Sequence, residues 1–196
     1  MSLTQQAHQA VLSHLEKAHK TQLCFSIDAT CGNGFDTLFL AKITENTVFS
    51  FDIQAAAILS TQQRLNKTSY KNKVELIQQS HANMLEYCQK RHVDAIGKVG
   101  AITFNLGYLP RADKSITTNT ESTIAALNAA IKLLSNDGVI SIICYRGHDG
   151  GLQESNAVLA WLDNQRLNYT IIDSTAATET TPFLLIITHK KNKEAE

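Results

Sequence analysis

Two carboxylates, Asp28 and Asp52, each close a short β-rich run, and the segment Asp28-Ala-Thr-Cys-Gly-Asn-Gly34 follows the first of them. Glycines at such a turn let the backbone bend sharply and approach a ligand closely. A dinucleotide-binding turn would read G-x-G-x-x-G and direct a helix N-terminus at a pyrophosphate. Here Thr37 occupies the third glycine position, and the acid lies upstream of the glycines, on the strand itself. This argues against a nicotinamide-dependent oxidoreductase and for a nucleoside ligand without phosphate. S-adenosylmethionine has that chemistry, with an amino acid, a sulfonium cation and a ribose. Asp28 is expected to receive its ammonium group directly or through water. Asp52 is expected to accept both ribose hydroxyls, bonds of about 1.5–3 kcal/mol each, with Gln54 bordering the adenosine. Thr30, Gly32, Asn33, Gly34, Asp36 and Thr37 complete the candidate cofactor turn. Taken singly, each feature has a plainer explanation: a strand-to-helix turn, a helix N-terminal charge, a solvated strand end. Two acids at successive strand ends with glycines between them form a constellation.

These residues need a scaffold that brings strand ends together. Residues 4–19 read as an amphipathic helix, with Ala7, Ala10, Val11, His14, Leu15 and Ala18 at three- and four-residue spacing and Thr4 as the N-cap. β-rich runs follow at 24–28, 47–52, 74–77, 100–105 and 139–145, separated by helical patterns at 35–43, 55–65, 82–90 and 120–134. A helix through Trp161 and Leu162 comes next, and then two strands, 169–173 and 183–188, with no helical pattern between them. Strands alternating with helices predict an α/β fold, a parallel sheet covered on both faces. Seven strands are expected. The last two, joined only by a loop, require a mostly parallel sheet finished by a reversed strand. The chain reads as one domain over 1–196, with residues 1–22 packed on it as a helix and a charged, frayed tail at 190–196.

The segment after the third strand, Gln78-Gln-Ser-His-Ala-Asn83, offers Ser80, His81 or Asn83 toward an adenine, although Ser80 also suits a helix cap and His81 a surface position. Asn105-Leu-Gly-Tyr-Leu-Pro110 emerges from the fourth strand. Methyltransferases acting on exocyclic amines often carry Asn/Asp-Pro-Pro-aromatic here, holding the amine through the side-chain oxygen while the ring stacks on the base. Asn105 and Tyr108 stand at matching offsets, with Leu106 and Gly107 replacing both prolines.

Asp28 to Gly34 with Asp36-Thr37, Phe51-Asp-Ile-Gln54, Ser80-His81, Phe104 to Pro110, Asp113-Lys114 with Thr117-Thr118, and Gly147-His148 with Gly150-Gly151 and Glu154 occur in this order. Together they resemble the small bacterial family of methyltransferases first labelled rRNA methylases and since associated with tRNA wobble-uridine modification. The resemblance spans about Asp28 to Glu154. Arg111-Ala112 depart from it, standing where small glycine-like residues are usual. It implies a Rossmann-like class I methyltransferase fold and S-adenosyl-L-methionine as cofactor. It also implies tRNA as partner, through its anticodon region, and conversion of 5-aminomethyl-(2-thio)uridine to the methylaminomethyl form. A small-molecule methyltransferase on the same fold is the alternative. Asn105 then steers the amine, Tyr108 stacks on the base, and Asp113 or His148 takes the proton. Asp113 could equally pair with Lys114 or Arg111, and His148 could be a surface residue of a glycine loop.

Composition narrows the setting. The 196 residues carry 18 basic and 18 acidic side chains, a neutral balance unlike that of a protein gripping long nucleic acid through many phosphates, yet compatible with a small folded RNA held by shape. The four cysteines, Cys24, Cys31, Cys88 and Cys144, form no C-x-x-C pair and have no histidine at zinc-ligand spacing, which predicts reduced thiols and no metal. No apolar run approaches the roughly 20 residues of a membrane span, and the start lacks a signal-peptide pattern. A soluble, cytoplasmic protein is expected, compatible with a homodimer.

Overall fold

The computed structural model describes residues 1–20, 22–109, 117–173 and 178–190. In chain order these form α1 (Leu3–Lys17), β1 (Leu23–Asp28), α2 (Phe35–Ile43), β2 (Thr44–Phe51), α3 (Ala55–Leu65), β3 (Val74–Ile77), α4 (Met84–Arg91), β4 (Val99–Leu106), α5 (Thr120–Leu133), β5 (Leu134–Cys144), α6 (Gly151–Asp163), β6 (Leu167–Ile172) and β7 (Phe183–His189). The seven strands make one sheet in the order β3-β2-β1-β4-β5-β7-β6. Neighbours from β3 to β5 pair in parallel, and β7 runs antiparallel to both β5 and β6. The reversed strand demanded by the missing helix between β6 and β7 is therefore β7, inserted between β5 and β6. Among the described residues no helix is long and apolar enough to cross a membrane.

Both faces of the sheet are covered, which is why β1, β4 and the second half of β5 are buried at almost every position rather than at alternate ones. On one face Phe25, Phe49, Phe51, Ile102 and Ile140 pack against Met84 and Cys88 of α4, Leu127 and Leu133 of α5, and Val158 and Trp161 of α6. On the other, Val48, Ala101 and Val139 pack against Val11 and Leu15 of α1 and Leu40 and Ala41 of α2. Burying a side chain such as Phe49 or Leu133 contributes about 1.5–3 kcal/mol. These layers hold the strand ends rigidly.

Three details depart from the pattern read along the chain. Helix α1 is capped by Ser2, not Thr4: the Ser2 hydroxyl accepts the Gln5 N–H while the Gln5 side chain accepts the Ser2 N–H, a reciprocal box that satisfies two otherwise unpaired donors. Strand β2 starts at Thr44, which pairs with Leu23 before the register shifts. Strand β5 starts at Leu134, because the Asn136-Asp-Gly138 turn lies inside a register shift between Val99↔Leu134 and Ala101↔Val139.

Candidate functional site

The strand order reverses direction between β1 and β4, and a parallel sheet opens a crevice outside the carboxyl ends of its strands at that point. There the structure has a cavity of about 710 Å³ lined from the ends of β1, β2, β3, β4 and β5, within the ~300–1,000 Å³ typical of small-molecule sites. Of the residues singled out from the sequence, Thr30, Gly32, Asn33, Asp36, Asp52, Gln54, Ser80, His81, Asn105, Tyr108 and His148 line it. Asp113 lies outside the described residues, as do Pro110, Arg111 and Lys114.

Asp28, Gly34 and Thr37 do not line the cavity. Asp28 is fully buried, and its carboxylate accepts the Thr37 hydroxyl at 2.5 Å and the Thr30 N–H at 3.3 Å. The Asp28 carboxyl thus sits beneath the turn and not on the cavity wall. Burial, reinforced by the nearby Asp36 and Asp52 carboxylates, pushes its carboxyl up to about 8. Thr37 is spent on Asp28 and on Ser50, at 2.7 Å.

Gly34 has φ +77°, and a Cβ there would stand 2.9–3.0 Å from Thr61. The turn is gripped from α3 by residues the sequence reading passed over. Thr61 donates to the Gly32 carbonyl at 3.1 Å, Ser60 to Asn33 Oδ1 at 3.0 Å, and Arg64 Nε to the Asn33 carbonyl at 2.6 Å. The signal was available only as polar residues spaced three and four apart on a helix with an apolar stripe.

Asp52 follows the last residue of β2, and both of its oxygens accept hydrogen bonds. Gly32 N–H donates to Oδ2 at 3.0 Å, with the Cys31 thiol a weaker donor to the same oxygen at 4.0 Å, and Gln54 N–H donates to Oδ1 at 2.9 Å. Burial raises its carboxyl, while the Gln54, Gly32 and Ile53 N–H groups oppose the rise. Asp52 also lines the cavity. Ser80 caps the short turn at His81–Asn83 through the Ala82 N–H at 3.2 Å, and still reaches the cavity. His81 is buried rather than at the surface, and burial lowers its imidazole to about 4, so it is neutral near pH 7.

Asn105 sits on β4 with its backbone N–H and one hydrogen of its amide NH2 committed. Its N–H donates to Thr30 Oγ1 at 2.7 Å and its Nδ2 to Asp36 Oδ2 at 2.5 Å. A carboxylate accepts only, so the amide nitrogen must face Asp36. The amide oxygen is left without a bond to Asp36, and Asn105 lines the cavity. The other oxygen of Asp36 meets His8 Nε2 at 2.5 Å, an α1 residue the sequence reading did not select.

Beyond β4, Tyr108 packs edge-on against His148, with ring centroids 5.8 Å apart. His148 Nδ1 lies 3.0 Å from the Asp149 carbonyl, an acceptor that requires the proton on Nδ1 in the neutral ring. Its Nε2 is buried and without a partner among the described residues. Glu154, buried on α6, accepts hydroxyls from Thr118 at 2.7 Å and Thr123 at 2.6 Å, while Thr118 N–H donates to the Gly107 carbonyl. The segment bearing Thr117 and Thr118 is thus tied to the rim. All four cysteines are free thiols, and burial raises Cys31, Cys88 and Cys144, so these stay protonated. No group of three or more His, Cys, Asp or Glu that could hold a metal ion occurs among the described residues.

A family model described as "Putative rRNA methylase" matches residues 48–188. The chloroplastic tRNA (mnm(5)s(2)U34)-methyltransferase of Arabidopsis thaliana is 39% identical over 145 residues, 69% of this chain and 51% of that protein, so the chain spans about half the length of this curated relative. Among solved structures, a "putative rRNA-methylase" from Clostridium thermocellum is 36% identical, covering 90% of this chain and 95% of its own with a TM-score of 0.78. A "putative methyltransferase" from Streptococcus mutans, solved in complex with SAH, is 30% identical, covering 90% of this chain and 94% of its own with a TM-score of 0.75.

Proposed function

The chain belongs to the rRNA methylase family, and from that premise we propose that it transfers a methyl group from S-adenosylmethionine to the exocyclic amine of a tRNA wobble base. The reaction is conversion of 5-aminomethyl-(2-thio)uridine to 5-methylaminomethyl-(2-thio)uridine, the chemistry named for the Arabidopsis relative. One observation carries the acceptor assignment. The Asn105 amide is pinned through its nitrogen by Asp36, and Asn105 lines the same cavity as Asp52 and the glycine turn.

The donor set fits the cofactor. Asp52 brings its carboxylate to the cavity for a ribose diol, Ile53 and Gln54 flank it, and neutral His81 with Ser80 offers uncharged hydrogen-bonding groups to an adenine. Thr30, Gly32 and Asn33 bring backbone and small polar groups to the amino-acid end, with the Asp28 carboxyl beneath them. When bound, S-adenosylmethionine supplies an electrophilic methyl on a sulfonium centre whose leaving group is a neutral thioether.

The protein's tasks are then positioning and proton removal. Asn105 Oδ1 accepts an N–H of the acceptor amine and directs its lone pair at the methyl carbon. The N–C bond forms as the C–S bond breaks, and the amine then loses a proton. His148, protonated on Nδ1 in its neutral form, has its Nε2 lone pair available and is the described candidate for that proton; Asp113 is the other candidate. Tyr108, at the rim, provides the stacking surface for a base splayed from a loop, as in the anticodon region. Free thiols accord with a reducing compartment, and the reaction is assigned to the cytoplasm.

The test uses tRNA from strains with and without 5-aminomethyl wobble uridine, incubated with the protein and S-adenosylmethionine and digested for nucleoside mass spectrometry. The proposal expects that nucleoside to gain the mass of one CH2 only where the amine is present. No gain on amine-bearing tRNA, with transfer to a small amine instead, would move the assignment to a small-molecule methyltransferase.

A further inference from the structure

We propose, building on the methyl-transfer reading above, that His8 is a positioning residue of the acceptor site and that helix α1 is therefore a working part of that site. His8 Nε2 reaches Asp36 Oδ1 at 2.5 Å, and Asp36 Oδ2 accepts Asn105 Nδ2 at 2.5 Å. The imidazole lies flat on Phe39, with centroids 3.9 Å apart and planes 8° from parallel, which fixes where Nε2 points. A carboxylate cannot donate, so His8 Nε2 must carry the proton. Asp36 is thus held at both oxygens and cannot rotate without breaking one bond or the other. Its fixed orientation decides which way the Asn105 amide faces.

The His8 bond takes up one lone pair of Asp36 Oδ1, as the Asn105 bond does of Oδ2. Helix α1 itself is anchored by Ala7, Val11 and Leu15, which are buried, while His8 is only half-buried. Its side chain is therefore replaceable without dismantling the helix. Thr4, one turn earlier, lines the cavity directly.

The experiment compares wild type, His8→Ala, His8→Phe and His8→Gln for turnover on 5-aminomethyl tRNA, for KM, for S-adenosylhomocysteine affinity, and for the asparagine side-chain amide resonances in protein labelled with 15N-asparagine. His8→Phe keeps the stack on Phe39 but has no donor, whereas His8→Gln keeps a donor without the ring. A misplaced acceptor group lowers turnover by about 10- to 100-fold. That loss is expected in His8→Ala and His8→Phe, with S-adenosylhomocysteine affinity unchanged, the Asn105 amide resonances moved, and most of the loss recovered in His8→Gln. Wild-type turnover in folded His8→Phe overturns the proposal, whatever happens to His8→Ala. If wild type methylates no RNA amine, the reading of function falls. The resonances then decide this proposal by themselves, and an Asn105 signal unmoved in His8→Phe overturns it.

Discussion

Replacing Asp52 tests the cofactor half of the site most sharply, because the structure allows its contribution to be sized. The carboxylate lines the cavity while accepting Gly32 N–H and, more weakly, the Cys31 thiol at Oδ2 and Gln54 N–H at Oδ1. The ligand partners assigned to it are the two hydroxyls of a ribose. A hydrogen bond to a charged group contributes about 1.5–3 kcal/mol, so Asp52→Ala removes about 3 kcal/mol even at the low end. That corresponds to roughly 100- to 200-fold in affinity at about 1.4 kcal/mol per factor of ten. Asp52→Asn keeps one acceptor oxygen and substitutes a donor, so about a tenfold loss is expected from one charged bond. Calorimetric titration with S-adenosylhomocysteine reads both values, and thermal melting confirms that the variants remain folded. Affinity within about threefold of wild type in folded Asp52→Ala, less than the ~1.4 kcal/mol of a factor of ten, would refute the ribose assignment.

Three further outcomes follow from the same geometry. Asn105→Ala is expected to lower turnover on the amine substrate by about 100-fold while leaving S-adenosylhomocysteine affinity unchanged; a loss confined to cofactor binding would contradict its acceptor role. Gly34→Ala combines a left-handed φ of +77° with a Cβ 2.9–3.0 Å from Thr61, costing roughly 2 kcal/mol or more. Melting should fall by about 4–8 °C, and an unchanged melting temperature with unchanged cofactor affinity would show that the turn relaxes freely. Asp28 gives a pH signature: its carboxyl is raised from 3.8 to about 8 by burial and by Asp36 and Asp52. Between those values the folded chain holds a proton that the unfolded chain has lost. The stability contributed by this group is therefore fully present below pH 3.8 and is lost as the pH rises through about 8. Asp28→Asn should flatten the decline in melting temperature between these limits, and parallel profiles for variant and wild type would contradict the assignment.

Most of the framework was legible in the chain because its signals are local. Short β-rich runs alternating with helical patterns announced a parallel sheet covered on both faces, and the absence of a helical pattern before Phe183 announced the reversed strand. The placement of Asp52 at the cavity was equally legible, since it closes a β-rich run soon after the glycine turn. What escaped was set by contacts distant in sequence. Nothing near Asp28 says that Thr37 folds back to cap its carboxylate and seal it from the cavity. His8 is separated from Asp36 by 28 residues, and its only local hint is that Thr4 and His8 fall one helical turn apart beside a buried stripe. Ser60, Thr61 and Arg64 grip the glycine turn from a helix whose sequence reads as ordinary amphipathic surface. The capping residue of α1 moved from Thr4 to Ser2 because a reciprocal side-chain box outcompetes a single hydroxyl.

The central claim is that one cavity sets a sulfonium methyl against an RNA amine held by Asn105. Its most direct test is transfer from S-adenosylmethionine carrying a trideuterated methyl to 5-aminomethyl tRNA, with the label located in the digested nucleoside by tandem mass spectrometry. The account predicts the intact trideuteromethyl group on the exocyclic nitrogen of the wobble uridine, formed by wild type and nearly abolished in Asn105→Ala. Label on the ribose, on a ring position or on another nucleoside, or equal transfer by Asn105→Ala, would contradict it.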